Sequence, residues 1–272
     1  MKLHLPSSTE GTHVTPQSAG WKYLEFHTVK LQPEENWTCD TGGQELALVP
    51  LSGALQVNCT LGEFTLKRAS VFAEVPHVLY LPPAQHLEVQ ALETAEFAIG
   101  LAPAEGHHPA RLIQPEEIRV EIRGGANATR KIAHILGEDL PAERLVLFEV
   151  YTPSGNWSSW PPHRHDHALD SPYLEEVYYY RIEPQDGYAI QRVYTDDGSL
   201  DEVMLVRHDD TVLVPRGYHP VVAPPGNWAY YLNYLAGESR ASSQAVDDPT
   251  LKWMRQDWEG ESTQPDIFRD MP

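Results

Sequence analysis

Cysteine is almost missing from this chain: Cys39 and Cys59 are the only two among 272 residues. Their separation fits no zinc-finger spacing and gives no disulfide framework, so both read as buried free thiols of a reducing compartment. No apolar run approaches the ~18 residues of a membrane span. The opening stretch MKLHLPSSTEGTH lacks the apolar core of a secretion signal, so the expected location is the cytoplasm. The Asn-x-Ser/Thr matches at Asn36, Asn58, Asn127 and Asn156 then read as chance rather than glycan sites. Basic side chains are scarce, 20 against 39 acidic ones, for a net charge of −19. Such a field repels phosphate backbones and anionic lipid, which argues against nucleic acid and membrane as partners; a small anionic substrate still fits a locally positive pocket. No Gly-rich phosphate loop or dinucleotide fingerprint occurs.

What the chain does have is short β-rich runs separated by evenly scattered proline and glycine. Residues 45–59, 79–83, 88–93 and 96–102 read as strands, and so do 144–155, 176–183, 188–195, 202–207, 211–217 and 228–237. Many short strands with little helix predict an all-β fold of two tandem barrels or sandwiches. The expected divisions are an N-terminal domain over 1–110, a connector over 111–143, a C-terminal domain over 144–240 and an extended tail over 241–272. The end of the connector, ATRKIAHIL, reads as one or two helical turns. The tail is expected to lie across a domain or a neighbouring subunit of a homo-oligomer. The halves also echo each other, with Glu45 and His86 standing where Glu176 and His219 stand later, which suggests duplication.

The stretch PPHRHDHALDSPYLEEVYYY carries the chemistry. Side chains two apart on a strand share a face, so His163 and His165 project together. Glu176 opens the next strand and shares parity with Tyr178 and Tyr180. His219 follows the turn Pro215-Arg216-Gly217. Three imidazoles and one carboxylate form a set suited to a divalent transition metal, with positions left for water or substrate. His167 falls where the chain must turn and reads as lying beside the site or in solvent. Glu175 has the opposite parity and reads as pointing outward, while Asp166 and Asp170 are loop residues placed to orient an imidazole. No His-x-His precedes Glu45, so the N-terminal domain is expected to be structural and to hold no metal.

His163-x-His165, Glu176 and Pro215-x-Gly217-x-His219 resemble the two cupin motifs, with the usual glycine after the glutamate displaced to Gly187 and the second motif shortened by one residue. RLVLFEVYTPSGNWSSWPPHRHD, LEEVYYYRI, VPRGYHPVVAPPG and RGGANATRKIAHIL are similar to the KduI/IolB cupin family, the 5-deoxy-glucuronate isomerases of myo-inositol catabolism and related uronate ketol-isomerases. This resemblance implies a bicupin fold and an isomerisation of 5-deoxy-D-glucuronate to 5-dehydro-2-deoxy-D-gluconate. It also implies one divalent ion, zinc first and manganese, iron or nickel as alternatives. The substrate carboxylate then needs a cation, for which Arg192 and Arg216 are candidates, and Tyr178 and Tyr180 are candidates for hydroxyl contacts. A cupin dioxygenase would use the same ligands.

Overall fold

The computed structural model describes residues 2–258 and Phe268, and the remainder of the expected tail lies outside the described residues. Two large antiparallel sheets meet face to face. One has seven strands in the order His4–Leu5, Thr211–Val214, Leu174–Glu183, Trp228–Gly237, Val146–Thr152, Arg130–Leu136 and Arg119–Arg123. The other has nine, built around the long strand Gln44–Cys59, with Glu25–Leu31 and Ala95–Pro103 on one side and Val78–Leu81 on the other. Each sheet curls over its own apolar core, and a four-stranded sheet containing Ala189–Tyr194 closes the second barrel.

The tyrosine run shows how one strand serves two cores. Tyr178 and Tyr180 enter the core of the second barrel, while Tyr179 enters the layer between the large sheets, as period-two alternation requires. Such a strand is apolar on both faces, which explains its nearly unbroken burial. The sheets approach closely at Gly100: a Cβ there would stand 2.2 Å from the Tyr234 ring. Tyr234 in turn donates to the carbonyls of Ala47 and Ala98 across the interface.

Arg68 and Glu149 form a buried pair in the same layer at 2.7 and 2.9 Å. Tyr151 and Tyr230 also donate to Glu149, so the carboxylate is well supplied with donors.

ATRKIAHIL is not helical. Arg130–Leu136 is a strand of the seven-stranded sheet, buried at every position. A strand covered on both faces shows no clean alternation, so its apolar pattern imitates a helix. Arg119–Arg123 pairs beside it, and Arg111–Ile113 joins the other sheet. The segment 111–143 therefore contributes strands to both sheets. The chain start also departs from the sequence reading, since His4–Leu5 pairs with Thr211 and Val212. Cys39 and Cys59 are free thiols, half-buried rather than buried.

Candidate metal centre and its cavity

His163–Arg164 pairs with Val246–Asp247, so part of the tail lies along the strand that carries the histidines. Arg164, between them, turns the other way and pairs with Asp166 and Asp196. Glu176 sits in Leu174–Glu183, opposite Val214 and Leu235. His219 is placed by the turn at Gly217, whose φ of +83° and 2.2 Å clearance from Tyr194 O admit no side chain. Asp166 does not orient an imidazole: it accepts from the Gly217 amide at 2.7 Å, tying the histidine loop to that turn. His167 is exposed and stacks on Tyr173, and Asp170 lies in an exposed positive-φ turn.

His165 donates from Nδ1 to Leu174 O at 2.8 Å, and His219 donates from Nδ1 to Gly217 O at 2.9 Å. Both Nε2 atoms are thereby turned to Glu176 Oε2, at 2.9 Å for His165 and 3.3 Å for His219. His219 Nε2 is buried and has no hydrogen-bond partner. The His163 ring lies 4.7 Å from that of His219 and 6.4 Å from that of His165. His165, Glu176 and His219 each bring one ligating atom within 4.8 Å of the others, with the His163 ring beside that trio, and this donor set with its unpartnered His219 Nε2 fits a metal ion. Burial pushes the His163 and His219 pKa values down to about 3, with neighbouring imidazoles adding to it. Burial also disfavours charge on His165, but its hydrogen bond to Glu176 and the carboxylate charge outweigh this and raise its pKa.

His163, His165 and Glu176 open into a cavity of about 290 Å³, with His219 buried behind them, and its wall also includes Arg119, Arg123, Arg130, His134, Tyr178 and Tyr231. Tyr178 and Tyr231 share Ser159 Oγ at 3.1 and 3.4 Å, and burial raises both pKa values, so they remain protonated donors near neutral pH. Tyr180 instead donates to Gln191 at 2.7 Å within the core and is not part of the cavity wall.

Arg192 is exposed, gripping Asp201 at 2.7 and 2.8 Å, and Arg216 is exposed beside Ser199, so neither lies in the cavity. The cavity arginines come from the segment read as a connector. The alternation Arg130-x-Ile132-x-His134 is the signal that a strand reading of that segment exposes. His134 accepts from Arg119 at Nδ1, so its Nε2–H donates to Glu121 at 2.8 Å, and the ring is neutral and fully engaged.

The KduI/IolB family model matches residues 3–254. The chain belongs to the KduI/IolB family. A relative named 5-deoxy-glucuronate isomerase, from Geobacillus thermodenitrificans, is 47% identical over 89% of each chain. An IolB-like protein from Salmonella typhimurium, solved by crystallography, superposes with a TM-score of 0.87 at 36% identity, covering 94% of this chain and 100% of its own. Bacillus subtilis oxalate decarboxylase, a protein with Mn(II) centres, superposes with a TM-score of 0.58 at 14% identity over 90% of this chain and 79% of its own. That last likeness bears on the fold alone, which is the bicupin.

Within this family member the two halves align one residue away from the sequence reading. Glu176 faces Val214 and Leu235, and the equivalent position facing Leu81 and Leu101 is Leu46. Glu45 therefore matches Glu175. Glu175 is not outward in the sense of solvent: it is fully buried and accepts from the amides of Lys22, Tyr23 and Leu24. Glu45 accepts likewise from Glu143, Arg144 and Leu145. Each carboxylate thus clamps the other half of the molecule. His86 is exposed and bound to Asp40. A separate trio, His13, Glu25 and His27, brings three ligating atoms together near the surface of the first half.

Proposed function

We propose that the chain is a metal-dependent aldose–ketose isomerase converting 5-deoxy-D-glucuronate to 5-dehydro-2-deoxy-D-gluconate in myo-inositol catabolism, in the cytoplasm. The observation that carries this reading is the convergence of His165 Nε2, His219 Nε2 and Glu176 Oε2 on one point at a cavity wall, in a chain whose relatives bear the isomerase name. His163, His165, Glu176 and His219 are the proposed ligands of one divalent ion, zinc first, with manganese, iron or nickel as alternatives. When bound, the ion supplies a Lewis acid for the substrate carbonyl and neighbouring hydroxyl.

The protein groups act around that centre. The carbonyls of Leu174 and Gly217 fix the tautomers of His165 and His219, which keeps both Nε2 lone pairs on the site. Tyr178 and Tyr231 hold their protons, and the one that accepts from Ser159, which has a single proton to give, turns its own O–H to the oxygens that gain charge as the C2 proton is removed. Ser159 fixes the positions of both hydroxyls. Ile132, Phe148, Val150 and Leu235 keep part of the wall apolar and limit water.

Following 5-deoxy-D-glucuronate by NMR in deuterated water under nitrogen tests the reading. Ketose product carrying deuterium on the hydroxymethyl carbon that was C1 of the substrate and is C6 of the product, formed without oxygen, is the expected result. An absolute need for oxygen favours the dioxygenase and overturns it.

A further inference from the structure

The described arginines with little exposure form a revealing series. Arg68 is paired with Glu149, Arg164 with Asp166 and Asp196, and Arg181 with Glu96 and Asp209. Arg240 has no carboxylate but donates to the carbonyls of Leu136, Gly137, Leu140 and Leu145. Arg130 departs from this pattern. It is 3% exposed, and among the described residues its hydrogen bonding is a single 3.1 Å contact from Nη1 to Ala128 O. The neighbouring carboxylate Glu121 is engaged by Arg119, Arg123 and His134.

A buried guanidinium with most donors unmet is costly unless something completes it. Arg130 lies in the wall of the cavity that His163, His165 and Glu176 also line. Its placement is built rather than incidental: Gly124 has φ +88°, and a Cβ there would stand 2.6 Å from Arg130 Nη1. Strand parity sends Arg130 to the same face as Ile132, which packs in the second barrel's core. Burial, with the charge of Arg123 next, lowers its pKa to about 9, so it stays cationic at neutral pH.

We propose that Arg130 is the carboxylate-binding residue of the cavity, holding the acid group of a uronate whose carbonyl end faces the histidine–glutamate cluster. The sugar named rests on the isomerase reading, whereas capture of a carboxylate does not. A guanidinium matches a carboxylate with two parallel N–H donors, a geometry ammonium cannot copy. A uronate held at its acid end by Arg130 has its carbonyl end left for the histidine–glutamate cluster in the same wall. This arrangement makes the carboxylate an address that sets which end of the chain reacts.

The test compares D-glucuronate with D-glucose as binding probes for metal-loaded protein, by calorimetry, in wild type, Arg130→Gln and Arg130→Lys. Wild type should prefer the acid. Arg130→Gln should weaken glucuronate by about 10- to 100-fold and leave glucose unchanged. Arg130→Lys should retain part of the preference, which keeps the test open should the glutamine variant not fold. Thermal melting and bound-metal content establish that each variant is intact. An intact Arg130→Gln protein with undiminished preference for glucuronate overturns the proposal, and so does an Arg130→Lys protein equal to wild type when the glutamine variant is unfolded. Isomerase turnover unaffected by Arg130→Gln would remove this residue while leaving the isomerase standing. Arg130-dependent glucuronate binding without any turnover would do the reverse.

Discussion

Glu175 and Glu176 are chain neighbours that serve opposite faces of one strand. Glu176 aims Oε2 at His165 and His219 in the second barrel, while Glu175 collects the amides of Lys22, Tyr23 and Leu24 from the first half. The two substitutions should therefore separate stability from metal binding. Glu175→Ala leaves three amides without their acceptor, at a cost of about 3 kcal/mol or more, and should lower Tm by ~6 °C or more. Glu175→Gln keeps one acceptor oxygen and should lose less. Glu176→Ala should melt near the wild-type temperature when both proteins are metal-free. Scanning calorimetry on the stripped proteins decides this.

The four proposed metal ligands should act as a set. Ala at His163, His165, Glu176 or His219 should reduce bound metal at least ~10-fold, because three donors close a poorer site. His13→Ala should leave the tightly bound ion in place, since His13 belongs to the separate trio of the first half. Elemental analysis per chain after dialysis measures both, with one tight ion expected in wild type.

Acid should release the ion through His165 first. Its pKa lies above the ordinary 6.5 because of Glu176, whereas His163 and His219 are pushed down to about 3 and stay neutral. Metal affinity should fall by about tenfold per pH unit once pH drops through the raised His165 value, one proton replacing one ion. Titrations with a competing indicator between pH 7.5 and 4.5 give the slope, and a slope near two would mean that a second imidazole is titrating. In metal-free protein the two depressed imidazoles are protonated only on unfolding, so they remove stability as pH falls from about 6.5 towards 3.

Gly217→Ala should damage the site without touching a ligand. The added Cβ meets Tyr194 O at 2.2 Å in a backbone conformation of φ +83°. About 2 kcal/mol of strain is expected, with the His219 turn displaced and metal occupancy reduced. Normal occupancy together with normal melting would show that the turn adjusts freely.

Strand parity made part of this site legible in sequence. His163-x-His165 and the face shared by Glu176 and Tyr178 follow from a period of two, which tertiary packing leaves intact. Other features were hidden by that same packing. Glu175 reads as outward because sequence alone does not reveal a second sheet beyond the strand. Arg130 and His134 were lost in an apolar stretch buried on both faces, where helix and strand patterns merge. Arg192 has the composition of an anion binder, yet its cross-strand neighbour Asp201 satisfies it on the outer face.

The central claim is that the cluster of His163, His165, Glu176 and His219 runs a metal-dependent isomerisation. Its most direct test is turnover of 5-deoxy-D-glucuronate by metal-stripped protein, titrated with a divalent ion, beside Glu176→Gln treated identically. Inert stripped protein, activity restored at about one ion per chain and no restoration in Glu176→Gln are predicted. Full turnover by protein shown to be metal-free would contradict the account.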